Sequence, residues 1–238
     1  MTETQMTPAD CARELLRDEP AFRTSRDFGP LVRQGAGTGP SVLIGDQSML
    51  ELYTGAIPSM LDYRMALLAQ PGDIVIVRQR SRDFEAYLED DLGLSGVSVL
   101  QAPEGGLVPV ALQCRTAPRL REELGRRLRD AGTLTLRSYL TTGHEWRLAK
   151  SLGEETGCPV HIYGAAPRIG RRANDKLWFW RMARKVLGPR GVPPSFHAFG
   201  PAAAAAWVAR IRDTGQDVVI KVPSSAGGTG NLRLTTAM

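Results

Sequence analysis

The stretch PGDIVIVR at residues 71–78 decides the fold. Pro71 and Gly72 turn the chain into a continuous β-branched run that extends from Asp73 to Arg78. Such a run is typical of a strand that is buried on both faces, because helices cover both faces of a parallel sheet. The stretch therefore predicts a buried strand in a parallel sheet.

Similar short apolar runs lie on both sides of this stretch. Strands are predicted at residues 41–45, 73–78, 97–100, 133–136 and 159–163. Helices are predicted at residues 58–70, 81–92, 119–131 and 142–152. Strands that alternate with helices indicate βαβ units, and right-handed crossovers then give a doubly wound parallel sheet. The predicted fold class is α/β, with about five strands.

Two sequence patterns predict helix starts. Ser48 with Glu51, and Thr142 with Glu145, have the spacing of a capping box. Glu145 then caps a helix, so the pair His144-Glu145 is interpreted as a structural feature and not as a catalytic pair. Gly45-Asp46 follows the first predicted strand of the sheet, where doubly wound folds bind ligands. These two residues are a candidate acceptor site.

Composition and cysteine usage limit the classes to which the protein can belong. The 238 residues suffice for one large or two modest domains, and 42% apolar with 23% charged residues is typical of a soluble chain. No long apolar run or basic leader is present, which predicts a cytoplasmic protein without a membrane partner. Cys11, Cys114 and Cys158 form no Cys-x-x-Cys pair, so reduced, unpaired thiols are expected.

The positive charge of the chain does not indicate nucleic-acid binding. The formal net charge is +5, and arginine supplies nearly all of the basic residues. Along residues 115–130 the arginines are mixed with Glu122, Glu123 and Asp130, as on a solvated helix face. We therefore expect no nucleic-acid partner.

The stretch DVVIKVPSSAGGTGN at residues 217–231 combines a strand, a lysine and a glycine-rich loop. Lys221 ends the strand, and residues 232–236 can pair with it as the second strand of a hairpin. Backbone N–H groups of a loop such as 224–230 can approach an anion closely and cradle phosphate. A hairpin tip without a ligand is an equally good interpretation of the loop alone.

A second lysine, Lys176, lies in the first turn of a helix predicted at residues 175–187. The N-terminus of a helix favours anions, and lysine acts as a compact point charge toward phosphate. Almost every other basic residue of the chain is arginine. Lysine at both of these positions therefore indicates a phosphate site.

Several motifs together resemble the ATP-grasp superfamily. They are NDK at 174–176, KVLGPRGVPPSF at 185–196 and VVIKVPSSAGGTGN at 218–231. Upstream, TGAIPSMLDYRMALLAQPGDIVIV at 54–77 and TTGHEWRLAKSLG at 141–153 are similar to ATP-grasp peptide ligases of the pheganomycin-biosynthesis type. The resemblance covers residues 40–238.

Proline and glycine residues up to Pro40 separate an N-terminal arm at residues 1–39, with a short helix from Pro8 through Leu16. The resemblance implies two further parts. Residues 40–165 are a Rossmann-like pre-ATP-grasp domain. Residues 166–238 are the first subdomain of an α+β ATP-grasp fold, which is incomplete. The implied reaction is the ATP-dependent activation of a small carboxylic acid or peptide, followed by amide formation with an amine.

The resemblance also assigns the nucleotide contacts. Lys176 and Lys221 hold the phosphates of ATP, and Ser225, Gly227, Gly228 and Gly230 form the lid. In the superfamily the adenine pocket and the acidic residues that bind Mg²⁺ lie beyond this loop, so no catalytic or metal-binding residue is assigned. We expect a chain that is inactive alone. The alternatives are a subunit completed by a second chain, and a non-catalytic remnant or binding module.

Overall fold

The computed structural model describes residues 6–18, 27–48, 61–103, 108–224 and 230–235. These residues form two compact units. One unit comprises the described residues from 27 to 170, and the other comprises helix α1 (Pro8–Asp18) and the described residues from 171 onward.

A six-stranded parallel sheet forms the centre of the unit at residues 27–170. Its strands are β1 (Val32–Gln34), β2 (Ser41–Ile44), β3 (Ile74–Val77), β4 (Ser98–Gln101), β5 (Leu134–Ser138) and β6 (Val160–Ile162). Their spatial order is β1-β6-β5-β2-β3-β4, and every neighbouring pair runs parallel. The predicted α/β fold with a parallel sheet is confirmed.

Helices separate the strands along the chain. A 3-10 helix (Asp62–Leu68) precedes β3, and α2 (Arg82–Asp90) precedes β4. Before β5 lie α3 (Val110–Thr116) and α4 (Pro118–Ala131), and before β6 lies α5 (Gly143–Thr156). Helix α6 (Pro167–Asn174) follows β6.

The core lies on both faces of the sheet. All of β3 is buried, as its β-branched sequence predicts. Ile74 and Ile76 belong to one hydrophobic cluster, while Val75 belongs to a second cluster on the other face. This division follows from the strand geometry, because successive side chains point to opposite faces. The first cluster also contains the fully buried Trp146, whose Nε1 atom donates a 3.1 Å hydrogen bond to the carbonyl oxygen of Ala165.

Strand β1 and helix α3 of this unit are absent from the sequence prediction. Strand β1 was not predicted, and it adds a sixth strand by pairing with β6. Only Val32 is buried in β1, and the strand contains no apolar run from which it could have been predicted. Helix α3 was also missed, because it is only seven residues long.

Only residues 61–70 of the predicted helix at 58–70 lie within the described residues. Its described portion forms the 3-10 helix rather than an α-helix. The capping box of Ser48 with Glu51 includes a residue outside the described ranges. Ser48 instead donates to Asp46, with 2.7 Å from its backbone nitrogen to Oδ1.

Two expectations about the whole chain can be compared with the structure. Cys11, Cys114 and Cys158 are free, as predicted. Within the described residues, no helix combines the length and the apolar content needed to cross a membrane.

The second unit contains helices α7 (Lys176–Leu187) and α8 (Pro201–Arg212) in addition to α1. It also contains an antiparallel hairpin of β7 (Val218–Lys221) and β8 (Asn231–Leu234), which confirms the predicted pairing. Phe196 stacks on Trp207 of α8 with ring centroids 4.2 Å apart.

Candidate functional site

Lys176 is the first residue of α7, and backbone and side-chain contacts fix it beside the end of β7. The preceding Asp175 caps the helix, since its carboxylate accepts a 2.8 Å hydrogen bond from the backbone nitrogen of Leu177. The Nζ atom of Lys176 donates to the carbonyl oxygens of Val222 (3.0 Å) and Pro223 (3.3 Å). Its backbone nitrogen donates to the same Pro223 oxygen at 3.2 Å. The ammonium group is therefore held at the base of the glycine-rich loop.

Lys221 shares the electrostatic environment of Lys176. It is the last residue of β7 and is exposed. Burial lowers the pKa of Lys176 from its ordinary value, and the positive charge of Lys221 lowers it further, while Asp175 has the opposite effect. An anion is favoured at such a place, because it relieves the repulsion between two neighbouring cations.

The loop that follows Lys221 is closed at its base by backbone contacts. The backbone nitrogen of Val222 donates a 3.0 Å hydrogen bond to the carbonyl oxygen of Gly230. Gly230 has a φ of 78°, a left-handed conformation that glycine adopts without steric cost. The structure thus brings Lys176, Lys221 and Gly230 to one end of the hairpin. Ser225, Gly227 and Gly228 lie outside the described residues, so the lid remains a prediction.

Metal ligands were not assigned from the sequence. In the described parts of the chain, no three His, Cys, Asp or Glu side chains are grouped to hold a metal ion.

The candidate acceptor residues Gly45 and Asp46 lie at the carboxyl end of β2. From β2, the chain adds β3 and β4 toward one edge of the sheet. It then returns to the opposite side of β2, where β5 and β6 lie. The boundary between β2 and β5 is therefore a topological switch point, where doubly wound sheets form ligand-binding crevices. The predicted position of these two residues is confirmed.

Asp46 is engaged there in a buried ion-pair network that the sequence analysis did not identify. Arg78, at the end of β3, pairs with Asp46 through Nη2 and donates from Nη1 to Oδ1 of Asp62 at 2.6 Å. The second oxygen of Asp46 accepts a 2.8 Å hydrogen bond from the backbone nitrogen of Val110. Asp46 therefore connects β2 and β3 to the start of α3. Burial raises the pKa of Asp62 to about 6, although its contacts with Arg78 act in the opposite direction.

Glu145 has the capping role that its sequence position predicts. Its Oε2 atom accepts hydrogen bonds from the backbone nitrogen (2.6 Å) and the hydroxyl (2.7 Å) of Thr142, which completes the capping box of α5. Burial raises the pKa of Glu145 to about 7, against the effect of these hydrogen bonds. Its unusual ionisation thus accompanies a structural role.

One family comparison concerns the unit that holds the parallel sheet. Residues 62–154 match the family model of the pre-ATP-grasp domain. The matched segment begins at the 3-10 helix and extends into α5, so it lies within the unit that holds the parallel sheet. The match supports the interpretation of this segment as the N-terminal region of an ATP-grasp protein. Comparisons with curated proteins and with solved structures gave no match.

Proposed function

We propose that the chain is the N-terminal portion of an ATP-dependent carboxylate–amine ligase, and specifically of a peptide ligase. The pre-ATP-grasp match at residues 62–154 supports this assignment. The parallel sheet of that unit and the lysine-bearing hairpin that follows it have the order expected of such a ligase.

The observation that carries the proposal is the position of Lys176. Its ammonium group is bound to the carbonyl oxygen of Val222, directly after Lys221, although forty-six positions separate Lys176 from Val222 in the chain. Two lysines that approach from a helix start and a strand end form a pair of point charges suited to phosphate oxygens. The proposed role of both side chains is to bind the phosphates of ATP.

The proposed reaction has two steps. A carboxylate oxygen of the acid substrate attacks the γ-phosphorus of ATP, and ADP leaves as the acyl-phosphate forms. The nitrogen of the amine substrate then attacks the acyl carbon, loses a proton and expels inorganic phosphate, which leaves an amide. Lys176 and Lys221 would stabilise negative charge on the phosphate oxygens during the first step.

Magnesium is the expected companion of ATP in this reaction, where it neutralises charge on the phosphates. In the superfamily that the sequence resembles, its acidic ligands lie beyond the glycine-rich loop. We therefore assign no residue of this chain to the metal. On this proposal, the 238 residues bind Mg-ATP only weakly by themselves and form no amide.

A subunit completed by a second chain is the alternative, and exposed apolar side chains favour it. In the unit at residues 171–235, Phe199 is 90% exposed, and Phe179 of α7 and Leu232 of β8 are also exposed. A contiguous exposed apolar patch marks a protein interface, so this alternative requires that these three side chains share one patch. A polypeptide that carries the remaining ATP-grasp elements should, in that case, bind the chain and raise its affinity for ATP.

The experiment that tests the phosphate site is calorimetry with Mg-ATP on matched lysine variants. Lys176→Ala and Lys221→Ala should each weaken binding by about tenfold, the loss expected for one charge-assisted contact. Lys185→Ala is the control, because Lys185 lies on the same helix and its Nζ atom is 3.6 Å from the carboxylate of Glu14. Equal affinities for all three variants and the unmodified chain would contradict the proposal.

A further inference from the structure

A basic cleft of about 570 Å³ lies where α3, α4 and α5 meet. It belongs to the unit at residues 27–170, and the sequence analysis did not identify it. Four cationic side chains line it: Arg115, Arg121, Arg147 and Lys150. Glu154 is the only acidic residue of the lining. The cleft therefore has a strong excess of positive charge.

Ion pairs compensate two of these cations. The Nε atom of Arg121 lies 2.7 Å from the carboxylate of Glu155, and the Nζ atom of Lys150 lies 3.8 Å from that of Glu154. Within the described part of the chain, neither Arg115 nor Arg147 has a carboxylate at ion-pair distance. No carboxylate of the described residues therefore compensates the charge of these two guanidinium groups.

Arg115 also has a hydrogen-bond donor without a partner among the described residues. This donor is its Nε atom, which is buried. A buried donor without a partner is costly, and a bound ligand would remove that cost if the Arg115 side chain turned its Nε atom toward the cleft. Thr116 also lines the cleft and precedes the start of α4, a helix terminus that no side chain caps.

The neighbouring His144 responds to this positive field. Burial lowers the pKa of His144 from its ordinary value, and the charges of Arg147 and then Arg115 lower it further. Asp46 acts in the opposite direction and more weakly. His144 is therefore a natural reporter of charge in the cleft.

We propose that this cleft is a binding site for a small polyanion that carries phosphate groups. Arginine presents a planar fork of donors that matches phosphate oxygens, and the cleft has the volume of a small-molecule site. Two uncompensated guanidinium groups suit a ligand with at least two negative charges. The cleft shares no residue with the lysine pair, since Lys176 and Lys221 belong to the other unit.

The test uses pyrophosphate and the double variant Lys176→Ala/Lys221→Ala, which removes the proposed ATP contacts. Pyrophosphate should still bind in calorimetry, and it should raise the pKa of His144 in an NMR titration of the chain's 3 histidines. Arg115→Gln and Arg147→Gln should each weaken this binding by about tenfold. The control is Arg129→Gln, which removes the same charge from an exposed position on α4 outside the cleft lining and should leave binding unchanged.

Three results would overturn the site as proposed. The first is the absence of pyrophosphate binding, or an equal loss in the Arg129→Gln control. The second is equal affinity for citrate, which would show that the cleft selects charge and not phosphate. The third is tighter, Arg147-dependent binding of a single-stranded RNA oligomer, which would make the cleft a nucleic-acid surface. Failure of the ATP experiment on the lysine pair would leave this outcome unaffected, because the double variant lacks that pair.

Discussion

The ammonium group of Lys176 donates a 3.0 Å hydrogen bond to the backbone carbonyl oxygen of Val222. This contact ties the start of α7 to the end of β7, where Lys221 lies. The two positive charges remain close, and their proximity lowers the pKa of Lys176 in addition to the effect of burial. The arrangement supports a phosphate site and has measurable consequences even without a nucleotide.

Replacing Lys221 should raise the pKa of Lys176. In Lys221→Gln the repulsion between the two ammonium groups is lost, so the charged form of Lys176 becomes more favourable. The pKa should move toward the ordinary value of 10.5 without reaching it, because burial remains. Titration of ¹³C-labelled lysine side chains by NMR measures this shift. Lys185→Gln is the matched control, and an unchanged or lower pKa in Lys221→Gln would contradict the proximity of the two groups.

Removing Arg78 should strongly destabilise the sheet-bearing unit. Arg78→Met leaves the buried carboxylates of Asp46 and Asp62 without their shared cation. Breaking a buried ion pair in this way costs about 3–5 kcal/mol, whereas an exposed pair contributes less than about 1 kcal/mol. Arg82→Met is the control, since Arg82 is 77% exposed and lies 3.8 Å from Glu85. Urea denaturation should show a much larger loss of unfolding free energy for Arg78→Met, and equal losses would contradict the role of the network.

The contribution of Glu145 to stability should fall as the pH rises. Its pKa is about 7 in the folded chain and 4.5 in the reference state. The folded state therefore binds more protons between these values, and the contribution that is present below pH 4.5 is lost as the pH rises through about 7. The difference in unfolding free energy between the unmodified chain and Glu145→Gln should thus shrink over this range. A constant difference would show that the pKa of Glu145 is the same in both states, and a difference that grows with pH would show that folding lowers it; either result contradicts the prediction.

Gly45 should not tolerate a side chain. A Cβ atom at this position would overlap the carbonyl oxygen of Asp62, because the 3-10 helix passes close to the end of β2. Gly45→Ala should cost about 1–3 kcal/mol, as overpacking typically does. Gly143→Ala is the control, since the nearest atom to its Cβ would be Nη1 of Arg147 at 3.9 Å. Similar melting temperatures for both variants would contradict this close approach.

The sequence predicted the parts of the fold that are locally encoded. The buried β-branched run of β3 and the capping box of α5 were both correct, because each depends on residues adjacent in the chain. Strand β1 was missed, since its pairing with β6 joins residues far apart and leaves only Val32 buried. The 3-10 helix was predicted as an ordinary helix, because the spacing of its apolar residues fits the repeat of an α-helix as well as that of a 3-10 helix.

The candidate site could likewise be predicted only in part from the sequence. The positions of Lys176 and Lys221 suggested a phosphate site, and the structure brings the two lysines together. The network of Asp46, Asp62 and Arg78 could not be predicted, because nothing in the sequence shows that a carboxylate after β2 and one at the start of the 3-10 helix share one arginine. The basic cleft was hidden for a related reason. Its three arginines lie on α3, α4 and α5, and only the packing of these helices shows which charges remain uncompensated.

The most direct test of the central claim is chemical labelling by an acyl-phosphate derivative of ATP. A lysine that contacts the terminal phosphate attacks the acyl carbon of this probe, and ATP leaves. Mass spectrometry can then locate the modified side chains, since only Lys150, Lys176, Lys185 and Lys221 are lysines. We expect acylation of Lys176 and Lys221 that excess ATP suppresses, with Lys185 modified slowly and without protection. Equal modification of Lys185, or no protection of Lys176 and Lys221 by ATP, would contradict the assignment of this lysine pair to the phosphates of ATP.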